Sequence, residues 1–140
     1  MFVSNLKLDF YSGLIGKRVL LIVNYDLDGI CATKILQTLF RNDQIMFSVV
    51  PILGMNGLRR TFDDHKHDAK TFLFVNCGGC VDLVDLLQPE DDIVFFICDS
   101  HRPLDLCNIY SDSQVIIITL FFIQTNTINY LHLTLFRFEF

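Results

Sequence analysis

Two aspartates follow an apolar run near the start of the chain. Residues 19–23 form a short, continuous and mostly branched apolar stretch, which is typical of a strand buried on both faces of a sheet. Asp26 and Asp28 come next, where a parallel α/β sheet places its ligand sites. Two carboxylates at a strand end can share a hard cation such as Mg²⁺ or Mn²⁺. The structural alternative is that Asp28 caps the following helix and Asp26 is a loop residue.

Polar side chains also follow two later apolar runs. Asn76 ends the run at residues 71–76, and Asp99 and His101 follow the run at residues 93–98. Because parallel strands end at the same edge of a sheet, we expect the polar residues of the three strand ends to converge, namely Asp26, Asp28, Asn76, Asp99 and His101. Carboxylates and imidazole at one edge suit a divalent-metal phosphoesterase, in which paired ions hold the attacking and leaving oxygens.

Strand and helix patterns alternate along the chain, which predicts a doubly wound, mostly parallel α/β sheet with flanking helices. Strands are expected at residues 17–24, 44–53, 71–76 and 93–98, and helices at residues 2–14, 28–41, 54–66 and 81–87. Ser4 is the expected cap of the first helix. A short strand at residues 108–110 and a last apolar run from 115 to about 123 complete the order.

A Cys-Gly-Gly-Cys motif offers a second candidate chemistry. Cys77 and Cys80 lie between a predicted strand and a predicted helix, where a thiol of low pKa would sit in a thioredoxin-like oxidoreductase. The structural alternative is that the two glycines shape a tight turn and the cysteines are small apolar fillers. A zinc site would need two more ligands, and the sequence has no second close cysteine pair.

The composition limits the class of protein. The 140 residues suffice for one domain, and the formal net charge of −5 disfavours a double-stranded DNA binder that works through a basic face. Five cysteines, an odd count, fit reduced thiols in a cytosolic or nuclear protein. The N-terminus does not read as a signal peptide, and the apolar run from residue 115 is too short to span a membrane.

Short segments resemble a known family. Residues 24–29 and 99–101 resemble the first and third signatures of the DHH phosphoesterase superfamily, which includes the RecJ nucleases. Further stretches are similar, in order, to its eukaryotic, catalytically inactive branch, the cell-division-control replication factors: residues 18–21, 31–37, 76–78, 81–83, 87–89 and 99–103. The resemblance covers roughly residues 1–116 and implies an incomplete RecJ-like N-terminal α/β domain.

Three positions depart from the active members of that superfamily. Asn24 and Asn76 stand where the active members carry aspartate, and Ser100 stands where they carry histidine. The loss of negative charge implies a degenerate site with no catalytic residues and no cofactor, at most binding one Mg²⁺ or Mn²⁺ weakly. The alternative is an active metal-dependent phosphoesterase, which the remaining acidic and imidazole groups favour: Asp26, Asp28, Asp99 and His101.

The resemblance also implies a function and partners. It implies a nuclear, non-catalytic scaffold subunit of the replicative helicase that joins the MCM ring and GINS, with no membrane association. Contact with single-stranded DNA is a further expectation from the resemblance alone. Residues 117–140 are uncharged over most of their length and rich in Phe, unlike the acidic stretch of the family. We expect them to be an atypical apolar tail, from a truncated isoform or a mispredicted gene end.

Overall fold

Five parallel strands form one sheet in a computed structural model that describes residues 3, 5–111 and 114–118. The strands are β1 (Arg18–Asn24), β2 (Met46–Ile52), β3 (Thr71–Val75), β4 (Val94–Cys98) and β5 (Val115–Ile118). Their order across the sheet is β2-β1-β3-β4-β5, and every neighbouring pair is parallel. This arrangement confirms the predicted doubly wound α/β fold.

Four α-helices connect the strands: α1 (Leu27–Asn42), α2 (Gly54–His65), α3 (Leu83–Leu87) and α4 (Leu106–Tyr110). Alternate residues of β1 serve opposite faces of the sheet. Leu20 and Ile22 pack in the core on the side of α2 and α3, while Leu21 and Val23 pack on the side of α1. Because both faces are covered, β1 is apolar at consecutive positions instead of alternating.

Phenylalanines fill the core beneath α2. The Phe62 ring lies 5.1 Å from the Phe72 ring and 5.6 Å from the Phe95 ring, measured between centroids. Phe95 also meets Phe74 edge-on at 5.3 Å. Such aromatic pairs add about 0.5–1.5 kcal/mol each beyond the burial of their area. The high Phe content of the chain therefore has a structural explanation on this side of the sheet.

The N-terminal segment differs from the single helix predicted at residues 2–14. A π-helical turn (Leu6–Phe10) is followed by a 3-10 turn (Tyr11–Gly13). Asn5 caps the segment, since its side-chain oxygen accepts hydrogen bonds from two backbone N–H groups, whereas the predicted cap Ser4 lies outside the described residues. Val3 is buried, and its N–H donates to the carbonyl of Ile117 at 3.0 Å, which closes part of the outer edge of β5.

The strand predicted at residues 108–110 is wrong, because these residues belong to α4. Asp105 caps this helix by accepting the N–H of Cys107 at 2.8 Å. Asn108 is fully buried, and its side chain makes three hydrogen bonds to backbone groups of another loop. These long-range bonds require Asn108 to face inwards from a helical turn.

The last apolar run enters the described structure only in part. Residues 115–118 form β5, and residues 119–123 lie outside the described residues, as does most of the predicted tail. The predicted division into residues 1–116 and 117–140 stays a prediction. No helix within the described part of the chain is both long and apolar enough to cross a membrane.

Candidate functional site

The polar strand ends meet where the chain order of the sheet reverses. From β1 the chain first moves outwards to β2, and then returns to β3 on the other side of β1. In open α/β sheets a crevice forms at the carboxyl ends of the strands at this switch point. Asp26 follows β1 and Asn76 follows β3, so the two residues lie on opposite sides of it.

Asp26 accepts hydrogen bonds on both of its carboxylate oxygens. Its Oδ1 accepts the backbone N–H of Gly29 at 2.7 Å. Its Oδ2 accepts the side-chain amide of Asn76 at 2.8 Å and also that of Asn24. The bond from Gly29, followed by the two amide bonds, holds the pKa of Asp26 below its usual value, although burial opposes the shift.

These contacts show that Asp26 caps α1, so the prediction that Asp28 is the cap is wrong. The carbonyl of Asn24 accepts the N–H of Asp26 at 2.9 Å, and this tight turn aims the Asp26 side chain at the helix start. Gly29 is needed because a Cβ there would lie 2.4 Å from the Asn24 carbonyl oxygen. Asp28 lies exposed in the first turn of α1.

Asn76 connects the Asp26 corner to the end of β4. Its backbone adopts the left-handed region, with φ of 54°, which asparagine tolerates better than most residues. Its N–H donates to the carbonyl of Cys98 at 2.8 Å. Its side-chain oxygen accepts the Ser100 hydroxyl at 3.4 Å. Asn76 therefore binds across the ends of three strands.

Asp99 forms the second corner of the site. The residue is buried, and its Oδ2 accepts the N–H of Gly79 at 2.9 Å. Its Oδ1 contacts both the backbone N–H of His101 at 3.0 Å and the ring Nδ1 of His101 at 2.7 Å. The structure thus brings together Asp26, Asn76, Asp99 and His101 as predicted, and among the described residues Asp28 is the predicted member outside this network.

Asn108 is a residue that sequence reasoning missed. Its Oδ1 accepts the N–H of Leu83, and its amide donates to the carbonyls of Gly78 and Val81. It thereby fixes the loop between β3 and α3, from which Gly79 donates to Asp99. No local pattern could have revealed it, since its partners lie 25 to 30 residues away in the sequence.

The cysteine motif does not provide a reactive thiol. Burial, followed by the charge of Asp99, raises the pKa of Cys77 to about 12, and its Sγ donates to the carbonyl of Ile22 at 3.5 Å. The pKa of Cys80 is also raised. Moreover α3 starts at Leu83 after its cap Asp82, so the motif does not open a helix. A thioredoxin-like thiol needs a lowered pKa, and neither cysteine has one.

Comparisons with known proteins identify the family. The CDC45 family model matches residues 19–125, which is well over half of the chain. The chain belongs to the CDC45 family. The human cell division control protein 45 homolog is 45% identical over 115 residues, which cover 82% of this chain and 20% of the human protein. The chain thus spans about a fifth of the length of this CDC45 relative.

Solved structures agree with the CDC45 assignment. The crystal structure of CDC45 from Entamoeba histolytica matches with a TM-score of 0.79 and 30% identity, over 85% of this chain and 25% of that one. RecJ from Thermus thermophilus, solved in complex with Mn²⁺, matches with a TM-score of 0.53 and 21% identity, over 76% of this chain and 15% of that one. The RecJ match shows a shared fold. The resemblance to the RecJ-like, cell-division-control branch is therefore confirmed.

Proposed function

We propose that this chain is part of a non-catalytic DNA replication factor that acts in the nucleus as a scaffold of the replicative helicase. Its membership in the CDC45 family supports the replication role, and the MCM ring and GINS are the proposed partners. The matched residues cover about a fifth of the human relative, so the activity of the longer relatives is carried over as a proposal.

The hydrogen bonding of Asp26 and Asp99 is the main support for the proposal that the chain is non-catalytic. Each of their four oxygens accepts at least one bond from a donor of the chain itself. A two-metal phosphoesterase instead needs carboxylate lone pairs aimed at its cations. The side-chain N–H groups of Asn24 and Asn76 point their positive ends at Oδ2 of Asp26, where a cation would bind. These residues do not fit a pair of divalent cations.

An exposed apolar surface supports the scaffold half of the proposal. Tyr25, Leu27 and Leu53 are 67%, 75% and 81% exposed, and all three lie just after β1 or β2. The N–H of Tyr25 donates to the carbonyl of Ile52 at 3.0 Å, so the two loops lie side by side. Large apolar side chains exposed next to each other are typical of protein contact surfaces. The net charge of −5 gives single-stranded DNA no comparable attraction.

A metal titration followed by a nuclease assay tests the non-catalytic half. The purified chain is titrated with Mn²⁺ by calorimetry and then incubated with a short single-stranded oligonucleotide. We expect no cleavage and at most weak binding of one cation, because no cation pair can form at the network. Mn²⁺-dependent cleavage that is lost in Asp99→Ala would overturn the proposal in favour of an active phosphoesterase.

A binding assay tests the scaffold half. Leu53→Asp is compared with Met46→Asp, a matched change at a residue that is also exposed but lies at the opposite end of β2. We expect the chain to bind recombinant MCM–GINS complex, with weaker binding in Leu53→Asp alone. Equal binding by both variants would show that this edge of the sheet is not the contact surface.

A further inference from the structure

We infer that the side-chain amides of Asn24 and Asn76 take the structural place of a cation at Asp26, so that the strand ends are held together by neutral donors. This inference rests on the proposed non-catalytic function and assigns a positive role to the two departures from the superfamily pattern. In this view the substitutions do more than remove ligands. They supply the positive electrostatic potential that a carboxylate at a strand end requires.

The hydrogen bonds to Asp26 join three separate parts of the fold. Asn24 ends β1 and Asn76 follows β3, and both amides donate to the same oxygen, Oδ2 of Asp26. The other oxygen is used to cap α1 through Gly29. One carboxylate therefore ties two strand ends and a helix start together. Hydrogen bonds to an ionised acceptor are stronger than neutral ones, which suits this role.

A carboxylate at position 76 would repel that of Asp26. Asn76→Asp keeps the size of the side chain, and aspartate tolerates the left-handed backbone much as asparagine does. The substitution would replace a donor, 2.8 Å from Asp26 Oδ2, with a second negative charge. Position 76 is only 8% exposed, so water would screen this repulsion poorly. A divalent cation between the two carboxylates would relieve it.

Oxygen atoms around position 76 already provide the surroundings of such a cation. Ser100 places its hydroxyl 3.4 Å from the Asn76 side-chain oxygen. The substitution would remove the Asn76 amide from Oδ2 of Asp26, and a cation there would require the half-buried Asn24 side chain to turn its oxygen, in place of its N–H, towards the site. Oxygen atoms from two carboxylates and a hydroxyl are ligands that Mg²⁺ and Mn²⁺ accept. A single substitution should therefore make the stability of this chain depend on a metal ion.

Thermal unfolding of the full chain tests the inference. Asn76→Asp is compared with wild type in chelator and in 1 mM Mn²⁺, and Asn56→Asp is the matched control because it adds the same charge at an exposed position of α2. In chelator we expect the Tm of Asn76→Asp to fall by about 5–10 °C. We expect Mn²⁺ to restore at least half of that loss, while wild type and Asn56→Asp change by about 1 °C or less.

Exchanging the residues at positions 26 and 76 distinguishes an electrostatic effect on stability from a general packing defect. In Asp26→Asn/Asn76→Asp the amide and the carboxylate trade places, asparagine can still cap α1, and the Asn24 side chain can accept the new amide by turning its oxygen towards it. We expect this double variant to regain at least half of the lost Tm in chelator and to lose its response to Mn²⁺. The inference is overturned if Asn76→Asp is as stable as wild type in chelator. It is equally overturned if neither Mn²⁺ nor the exchange restores stability or folding.

The outcome is independent of the test of the proposed function. Cleavage by the wild-type chain would refute the non-catalytic role whatever the Tm of Asn76→Asp. A normal Tm of Asn76→Asp in chelator would refute the amide role while leaving the wild type inactive. A Tm of wild type that rises with Mn²⁺ as much as that of Asn76→Asp would also refute the amide role, since the amides would then not exclude the cation.

Discussion

The Asp26 corner and the Asp99 corner hold their carboxylates in different ways. Two of the three donors to Asp26 are side-chain amides, and the third is the backbone N–H of Gly29. Asp99 is bonded to two backbone N–H groups and the ring of His101. The chemistry of the first corner therefore depends on residue types, whereas that of the second depends more on the path of the chain. Single substitutions can therefore alter the hydrogen bonding of Asp26 without any change in the path of a loop.

Removing each carboxylate should give the largest contrast between the corners. Asp99→Ala leaves the buried N–H of Gly79 without its acceptor, and we expect a loss of about 3 kcal/mol of unfolding free energy. Asp26→Ala removes a helix cap and leaves the half-buried Asn24 amide and the buried Asn76 amide without this acceptor, so we expect a loss of about 2 kcal/mol. Urea unfolding of both variants measures the difference. A larger loss in Asp26→Ala would contradict the comparison.

Two glycines give a matched pair of substitutions. A Cβ on Gly29 would lie 2.4 Å from the backbone oxygen of Asn24, which cannot move without distorting β1. A Cβ on Gly79 would lie 2.9 Å from Oδ2 of Asp99 and 3.0 Å from a Leu104 methyl carbon, both side-chain atoms. We expect Gly29→Ala to cost about 2 kcal/mol and Gly79→Ala about 1 kcal/mol in urea unfolding.

The reverse order in that experiment would show that the Asp99 corner is the more rigid of the two. Equal losses of unfolding free energy would mean that the end of β1 and the loop at Gly79 accommodate a Cβ equally well.

The smallest expected effect is on pH dependence. Because the folded state lowers the pKa of Asp26, ionised Asp26 stabilises the protein at pH values above the unfolded pKa of about 4. This contribution is lost as the pH falls through the folded pKa. We expect the Tm difference between wild type and Asp26→Asn to be constant from about pH 7 to 5 and to shrink below about pH 4.

Asp28→Asn is the control for that experiment, since it removes a charge two residues away from an exposed position of α1. A Tm difference for Asp26→Asn that stays constant down to pH 2 would contradict the assignment of the shift to Asp26.

The sequence allowed the parallel sheet and the polar strand ends to be predicted, because each rests on a local pattern. The consecutive apolar residues of β1 indicated burial on both faces, and the position of Asn76 after β3 indicated the edge on which it lies. The identity of the cap could not be derived in the same way. The spacing favoured Asp28 as the cap, whereas the tight turn at Asn24 places Asp26 there.

The helical conformation of residues 108–110 depends on hydrogen-bond partners that are distant in the sequence. Asn108 lies in a helical turn because three backbone groups from the β3–α3 loop and the start of α3 bind its side chain. The raised thiol pKa of Cys77 could not be predicted from the sequence either, since it depends on burial and on the neighbouring Asp99. Features that depend on contacts between distant segments could not be predicted from the sequence alone.

The bond between Val3 and Ile117 has a consequence for synthesis on the ribosome. Val3 emerges early, yet the carbonyl that its N–H binds is added only with the last described strand. At typical translation rates the interval is about 6–23 seconds. Until β5 is made, β4 remains an open edge of the sheet, and an open strand edge readily pairs with other chains. We therefore expect the unfinished domain to associate with other chains most readily at the edge where Val3 and β5 finally meet.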